Sequence, residues 1–177
     1  NILLNNSADG TTTISTGTGT GLLTIDGNIV GTAGKSESLT ILSGTGNTLI
    51  SGSIGLTQAV NDLTINASQD GDVTIASIGT DSVVGVSGTT LIGNTTTDAM
   101  SLTGAEYNTT GSQKYSAKTG GQNIAISGAV AQFATAGAAI EFDTSGVSLN
   151  NDGTTVVTTG ASGGGDVTFD GAIEGTD

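Results

Sequence analysis

A short motif, apolar–Thr–apolar, recurs along the chain at nearly constant spacing and is the strongest constraint on its fold. In one series, the third residue of the motif falls at Ile25, Ile50, Ile75, Ile126 and Phe169. The first two steps are 25 residues, the step of 51 spans two periods, and the step of 43 indicates a trimmed coil or a slip in the alignment. A second series, with steps of 27 and 24 residues, falls at Ile14, Ile41 and Ile65. Two independent series therefore predict a structural repeat of about 25 residues.

Each copy of the motif has the pattern of a short β-strand. Alternation places both apolar side chains on one face of the strand and the Thr on the other. The runs are three to five residues long and end at Gly, Asn, Asp or Ser, which is typical of a solenoid strand and too short for an amphipathic helix. We therefore predict an all-β fold: a parallel β-helix (β-solenoid) of about seven coils of roughly 25 residues, in one block covering residues 1–177. Gly is expected at corners that need a positive φ.

The stretch 89–118 departs from the motif. It contains the only Met of the chain, Met100, and both tyrosines, Tyr107 and Tyr115. We predict an irregular coil or a loop insertion in this stretch. A side-facing recognition loop is the alternative, because insertions in solenoids form loops and often lie on binding faces.

The charge composition excludes several functions. The chain has a net charge of −13, three Lys, and no Arg or His. Nucleic-acid binding requires basic residues that neutralise phosphates, so we predict no nucleic-acid partner. No stretch approaches the length of a membrane span, so no membrane insertion is expected. Cys is absent, which excludes a disulfide framework and a thiolate metal site.

Catalysis is not predicted. A hydrolase needs a general acid or base, and without His the candidates are carboxylate pairs two residues apart, Asp70 with Asp72 and Glu141 with Asp143. β-Helix enzymes that act on acidic polysaccharides generally place Arg or Lys near the reacting sugar, and basic residues are scarce here. We therefore predict that the chain is not an enzyme and carries no cofactor.

Four acidic residues are candidates for weak surface calcium binding: Asp70, Asp72, Asp152 and Asp166. Asp166 follows a Gly-rich run that is similar to one piece of the calcium-binding nonapeptide repeat, but the tandem copies that build such a site are missing. Carboxylate oxygens are the ligands that Ca²⁺ prefers. The alternative is that these residues form Asx turns with neighbouring Gly and Asn, so no dedicated metal site is predicted.

Two fragments resemble a known class of proteins. Residues 109–115 (TTGSQKY) and 165–171 (GDVTFDG) resemble the TTGxQxY and GDxTFxG segments of giant bacterial surface proteins of the filamentous-haemagglutinin and autotransporter-passenger type. Only these two fragments match in detail, whereas much of the chain resembles these repeats in its general composition and pattern. It implies a right-handed parallel β-helix that is secreted to a bacterial cell surface or extracellular matrix, with a role in adhesion, biofilm matrix or fibre formation. It brings no catalytic residues.

Three functions fit these observations. The first is an extracellular structural protein that forms or belongs to a cell-surface fibre by head-to-tail stacking, because pattern residues run from Ile2 to Ile173 without a polar cap and unpaired strand edges recruit strands. Its partner is a second copy of itself. The second is a stalk segment of a giant bacterial adhesin, with neighbouring repeats of a longer chain as partners. The third is a carbohydrate-binding or carbohydrate-cleaving β-helix module, for which few aromatic residues are available.

Overall fold

The chain coils into a parallel β-solenoid, which confirms the predicted fold class. The structure, a computed structural model, describes residues 1–5, 9–34, 36–66, 71–120, 123–160 and 164–175. Within these residues the regular structure is all β, and no helix is present. Strands pair with strands one coil away over about six turns, with a spacing of about 26 residues. Each of the two main sheets contains seven strands, so seven rungs are joined by these six turns.

Each coil contributes to three faces. Sheet I consists of β2 (Thr11–Ser15), β5 (Ser38–Leu42), β7 (Leu63–Asn66), β9 (Thr90–Gly93), β12 (Gln113–Ser116), β15 (Ile140–Asp143) and β18 (Val167–Phe169). Sheet II consists of β3 (Leu23–Ile25), β6 (Thr48–Ile50), β8 (Val73–Ile75), β10 (Met100–Leu102), β13 (Ile124–Ile126), β16 (Gly146–Leu149) and β19 (Ala172–Gly175). Face III consists of β1 (Ile2–Leu3), β4 (Ile29–Val30), β11 (Glu106–Asn108), β14 (Ala131–Ala134) and β17 (Thr155–Thr158). Isolated bridges at Ile54 and Ile78 continue face III between β4 and β11.

The register stacks equivalent positions of successive coils into inward columns. In sheet I one column consists of Ile14, Ile41, Ile65, Ile92, Tyr115, Phe142 and Phe169. In sheet II the corresponding column contains Ile25, Ile50, Ile75, Leu102, Ile126 and Leu149. The two series found in the sequence therefore correspond to the two sheets. The assignment of Phe169 to the first series is wrong, because that series belongs to sheet II and Phe169 lies on sheet I. Strands of both sheets carry the same triplet, so the spacing alone did not separate them.

Residues 89–118, expected to form an irregular coil or a loop insertion, contain strands β9 to β12 in register with the coils on either side. The departure from the motif lies in the side chains. Met100, Tyr107 and Tyr115 occupy inward positions that Ile, Leu or Val fill in other coils, and all three are buried. The two tyrosines therefore face the core and do not belong to a side-facing loop.

The later coils have an aromatic interior. Tyr107 stacks on Phe133 with ring centroids 4.5 Å apart, and Tyr115 stacks on Phe142 at 5.2 Å. Phe142 stacks in turn on Phe169 at 4.7 Å. Tyr115 and Phe133 meet edge to face at 5.6 Å, which joins the two stacks across the core. In-register strands lie about 4.8 Å apart, so these ring stacks follow directly from the register.

Glycines line the corner between sheet II and face III because the backbones of successive coils approach closely there. A Cβ on Gly52 would lie 2.4 Å from the carbonyl oxygen of Gly27, and a Cβ on Gly128 would lie 2.1 Å from that of Gly104. None of these four residues has a positive φ. This corner therefore needs glycine for space, whereas the expected positive φ occurs at other turns, such as Gly93 (φ 71°).

We expect Gly128→Ala to lower the free energy of unfolding by about 1–3 kcal/mol, because the added carbon over-packs a close backbone contact. Gly19→Ala is the matched control, since a Cβ there meets no atom within 4 Å, and it should change stability by less than about 0.5 kcal/mol. Urea denaturation followed by circular dichroism measures both variants. Equal stability of the two variants would contradict the close approach at this corner.

Candidate functional site

The fragment 109–115, which carries the family resemblance, forms a buried hydrogen-bond network. Gln113 on β12 is only 1% exposed, and its Nε2 donates to the carbonyl oxygens of Tyr107 (2.7 Å) and Ala134 (2.8 Å). The Tyr115 hydroxyl donates to Oε1 of Gln113 at 2.9 Å. The Gln and Tyr of this fragment therefore face the core and join β11, β12 and β14, so they serve the fold rather than surface chemistry.

Neither buried tyrosine is a candidate acid or base. Burial raises the pKa of the Tyr107 hydroxyl, although a hydrogen bond from the Gly104 N–H opposes this effect. Burial, and then the neighbouring Tyr107, raises the pKa of Tyr115 well above its usual value. Both hydroxyls consequently stay protonated at neutral pH.

Gln113→Leu should lower the free energy of unfolding by about 3 kcal/mol, because the buried Tyr107 carbonyl and the buried Tyr115 hydroxyl each lose a partner worth about 1–3 kcal/mol. The part-buried Ala134 carbonyl loses one of its two donors and keeps the Thr109 N–H. Tyr115→Phe leaves only one Gln oxygen unpaired and should cost about 1–2 kcal/mol. Urea denaturation of the two variants tests the order. A larger loss for Tyr115→Phe would exclude Gln113 as the centre of the network.

An ionic cluster lies on the outer face of sheet I. Lys114 Nζ lies 2.8 Å from Oε1 of Glu141 and 3.0 Å from Oδ2 of Asp143, and Ser116 Oγ donates to the same Asp143 oxygen at 3.3 Å. Glu141 and Asp143, considered above as a carboxylate pair, do share one strand face, and Lys114 bridges them from the preceding coil. The hydrogen bonds that Lys114 donates to the Glu141 and then the Asp143 carboxylate raise the pKa of its ammonium group. This lysine is therefore charged at neutral pH and is not available as a base.

A shallow recess of about 350 Å³ opens beside the cluster. Leu91, Asn94 and Lys114 are among the residues that line it, and the Leu91 side chain is 41% exposed. No aromatic ring lines the recess, so it lacks the stacking platform that sugar sites commonly use. The recess consequently gives no specific support to a carbohydrate site.

Replacing Lys114 measures how much this cluster contributes to the free energy of unfolding. Lys114→Gln leaves two carboxylates facing each other, and we expect a loss of at most about 1 kcal/mol because the groups are partly exposed. The loss should shrink in about 1 M salt, which screens surface charges. Lys114→Arg, which keeps the charge, is the control. Urea denaturation at low and high salt measures the effect, and a loss that persists unchanged in high salt would show that packing, not charge, is responsible.

The structure does not bring the calcium candidates together. Asp70 lies outside the described residues. Asp72 precedes β8 of sheet II, Asp152 precedes β17 of face III, and Asp166 precedes β18 of sheet I, so these three lie on different sides of the coil. The Asp72 carboxylate accepts a hydrogen bond from Nδ2 of Asn47 at 3.3 Å, which joins it to the preceding coil. Over the part of the chain that the structure describes, no group of three or more His, Cys, Asp or Glu side chains could hold a metal ion.

Both ends of the described solenoid present open strand edges. The sheet I and sheet II strands of the first rung pair only with the following coil, and those of the last rung pair only with the preceding coil. Apolar side chains are exposed on the first coil (Leu3 59%, Leu22 63%) and on the last coil (Val167 42%, Ile173 50%). The ends therefore combine unpaired backbone with exposed apolar surface, the two features that permit strand addition.

A pair of carboxyl groups on face III was not identified from the sequence. Glu106 lies on β11, and Asp81 lies in the loop of the preceding coil. Burial, and then the hydrogen bond and charge of Asp81, raise the pKa of Glu106 to about 7. The two residues are 25 positions apart in the chain, which is close to one coil. The repeat period is therefore the sequence feature that could have indicated that they lie on neighbouring coils.

Comparison with known proteins identifies no relative. No protein-family model, no curated protein and no solved structure matches this chain. The described residues also contain no helix with the length and hydropathy needed to cross a bilayer. The resemblance of residues 109–115 and 165–171 to bacterial surface repeats stays a prediction.

Proposed function

We propose that this chain is a structural element of an extracellular fibre and that copies join head to tail through the end rungs of their solenoids. The observation that carries the proposal is the register. Three faces stay aligned from the first rung to the last, and each end rung leaves one edge unpaired in the described structure. A second copy placed on the end of the first would continue all three faces at once.

The columns define which residues meet at such a junction. Continuing sheet I by one rung stacks Phe169 of one copy on Ile14 of the next. Continuing sheet II stacks Ile173 on Leu23. Ile173 is exposed, and Ile14 and Phe169 are half-buried, so these contacts remove further apolar area from water. Such burial stabilises by about 25 cal/mol per Å² of apolar area.

The charges at the junction are compatible with this stacking. In the continued register Glu174 of one copy lies over Thr24 of the next. Asp170, one residue beyond β18, lies over Ser15, and a Ser and an Asp of the same column already pair within the chain, where Ser116 donates to Asp143. Carboxylates thus meet hydroxyls at these positions, which avoids the penalty of like charges directly opposite one another.

Composition supports an extracellular structural role rather than a catalytic one. The chain is acidic, lacks His and Cys, and is rich in Gly, and both lysines that the structure describes are paired with carboxylates. Four of the five aromatic rings are buried inside the solenoid, and the fifth, Phe169, is half-buried, so no fully exposed ring favours a carbohydrate-binding module. The resemblance to filamentous-haemagglutinin repeats supports a bacterial cell surface or extracellular matrix as the location.

Cross-linking between copies tests the head-to-tail junction, because the chain has no Cys of its own. Thr13 and Thr168 occupy the exposed central column of sheet I at opposite ends. Six rungs separate them within one copy, roughly 29 Å, whereas a junction places them on adjacent strands about 4.8 Å apart, within the range of a disulfide. The double variant Thr13→Cys, Thr168→Cys should therefore form a ladder of covalent multimers on a non-reducing gel after mild oxidation.

The matched control is Thr24→Cys with Thr168→Cys, since Thr24 is equally exposed but lies on sheet II. It should give no ladder beyond dimers. Electron microscopy of the native chain should show rods that lengthen with concentration. If the in-register pair stays monomeric and no rods form, the head-to-tail fibre is rejected, and the stalk, in which further coils of one longer chain cover the ends, becomes the better account.

A further inference from the structure

Asp and Asn side chains at the corners of the solenoid bind the coil that follows them. In five contacts the side-chain oxygen accepts a backbone N–H from 25 or 27 residues further along the chain: Asn1 from Asn28 (3.2 Å), Asp9 from Ser36 (2.9 Å), Asn28 from Ser53 (2.9 Å), Asn47 from Asp72 (3.0 Å) and Asp62 from Thr89 (2.8 Å). The Ser145 hydroxyl accepts in the opposite direction, from the Gly120 N–H. The constant direction is therefore a feature of the Asp and Asn contacts.

Asp62 shows this arrangement in full at the start of a sheet I strand. It directly precedes β7, and its carbonyl accepts the Leu39 N–H of the preceding coil at 2.9 Å. Its Oδ1 accepts the Thr89 N–H of the following coil at 2.8 Å, and its Oδ2 accepts from the Ser38 hydroxyl at 3.3 Å. Asp62 thus binds the preceding coil through its backbone and the following coil through its carboxylate.

Asp166 occupies the same position on the last rung. It directly precedes β18, and its carbonyl accepts the Ile140 N–H at 2.9 Å, the distance found at Asp62. The register places both in one column, which consists of Thr11, Ser38, Asp62, Thr89, Ser112, Ala139 and Asp166. Asp62 is half-buried beneath the next coil, whereas Asp166 is exposed and no coil of the described structure follows it. Its carboxylate therefore lies at the open end of the solenoid.

The first rung presents the matching donor. In this column the Ser38 N–H donates to the Gly10 carbonyl, the Asp62 N–H to the Ser38 hydroxyl and the Thr89 N–H to the Asp62 carboxylate, each on the preceding coil. Parallel strands in register repeat the direction of each N–H from coil to coil. The Thr11 N–H of the first rung consequently faces the open edge, where the preceding coil would lie.

We propose that the Asp166 carboxylate accepts the Thr11 N–H of the next copy and that this contact determines the direction in which copies add. The inference rests on the proposed head-to-tail fibre, whose register places Thr11 of one copy directly after Asp166 of the other. Contact between two last rungs would instead bring Asp166, Asp170 and Glu174 against the same three carboxylates, and like charges opposite one another are destabilising.

Replacement of Asp166 tests the contact through the concentration at which half of the chain is assembled. Asp166→Ala removes the acceptor and should raise this concentration about tenfold, which corresponds to about 1.4 kcal/mol. Asp166→Asn removes the same charge but keeps the oxygen that Asn28 and Asn47 use as acceptors, so the concentration should rise by about threefold at most. Sedimentation measures the assembled fraction.

Asp81→Ala is the matched control, because it removes an exposed carboxylate from the middle of the solenoid, and it should assemble at the native concentration. Circular dichroism verifies that each variant is folded. The native chain supplies a second measurement that needs no variant: hydrogen exchange of the Thr11 amide should slow at least about tenfold when rods form, since a hydrogen-bonded amide exchanges only on opening.

The outcomes separate this contact from the fibre itself. If the Thr13→Cys, Thr168→Cys chain forms its ladder but Asp166→Ala assembles at the native concentration, the contact is rejected and the fibre stands. Equal losses in Asp166→Ala and Asp166→Asn would assign the effect to charge and also reject the contact, as would unchanged exchange of the Thr11 amide in native rods. Absence of both the ladder and the rods rejects the fibre and this contact together.

Discussion

Parallel backbone pairing between coils about 26 residues apart is the interaction on which every other feature of this molecule depends. Because the pairing is in register, each inward column repeats one position of the coil, and a side chain needs only to match the volumes above and below it. The sheet I column passes from Ile92 to Tyr115 in one step without interrupting the pairing of β9 with β12. Aliphatic and aromatic coils therefore share one backbone geometry, and the difference is confined to how each fills the interior.

The fold could be predicted wherever the triplet is intact. Ile25, Ile50 and Ile75 reveal the period because alternation is a local property of the sequence. The strands Met100–Leu102 and Gln113–Ser116 have no Thr between their inward residues, and they were expected to be irregular for that reason. Their inward side chains are as buried as the isoleucines of earlier coils. A motif of fixed residue types fails where one column accepts both aliphatic and aromatic side chains.

The candidate sites could be predicted only in part. Glu141 and Asp143 were recognised as neighbours because two residues of one strand face the same side. The position of Lys114 against them depends on a partner 27 residues away, and a period that varies by a few residues from coil to coil does not give the register. The same variation concealed Asp81 beside Glu106. Contacts between coils are long-range in sequence, so the exact pairing of strands has to be known before such clusters can be found.

Inward and outward columns face different constraints, and this difference indicates where function resides. Inward positions must exclude water and match volume. The outward column of sheet I varies freely, through Thr13, Thr40, Thr64, Leu91, Lys114, Glu141 and Thr168, while the pairing beneath it stays the same. In a stack each coil contacts only its neighbours, so an ion pair on one coil leaves distant coils unaffected. Successive coils of such a rod can therefore carry different surface chemistry, because the hydrogen bonds that join them do not depend on the side chains that face the solvent.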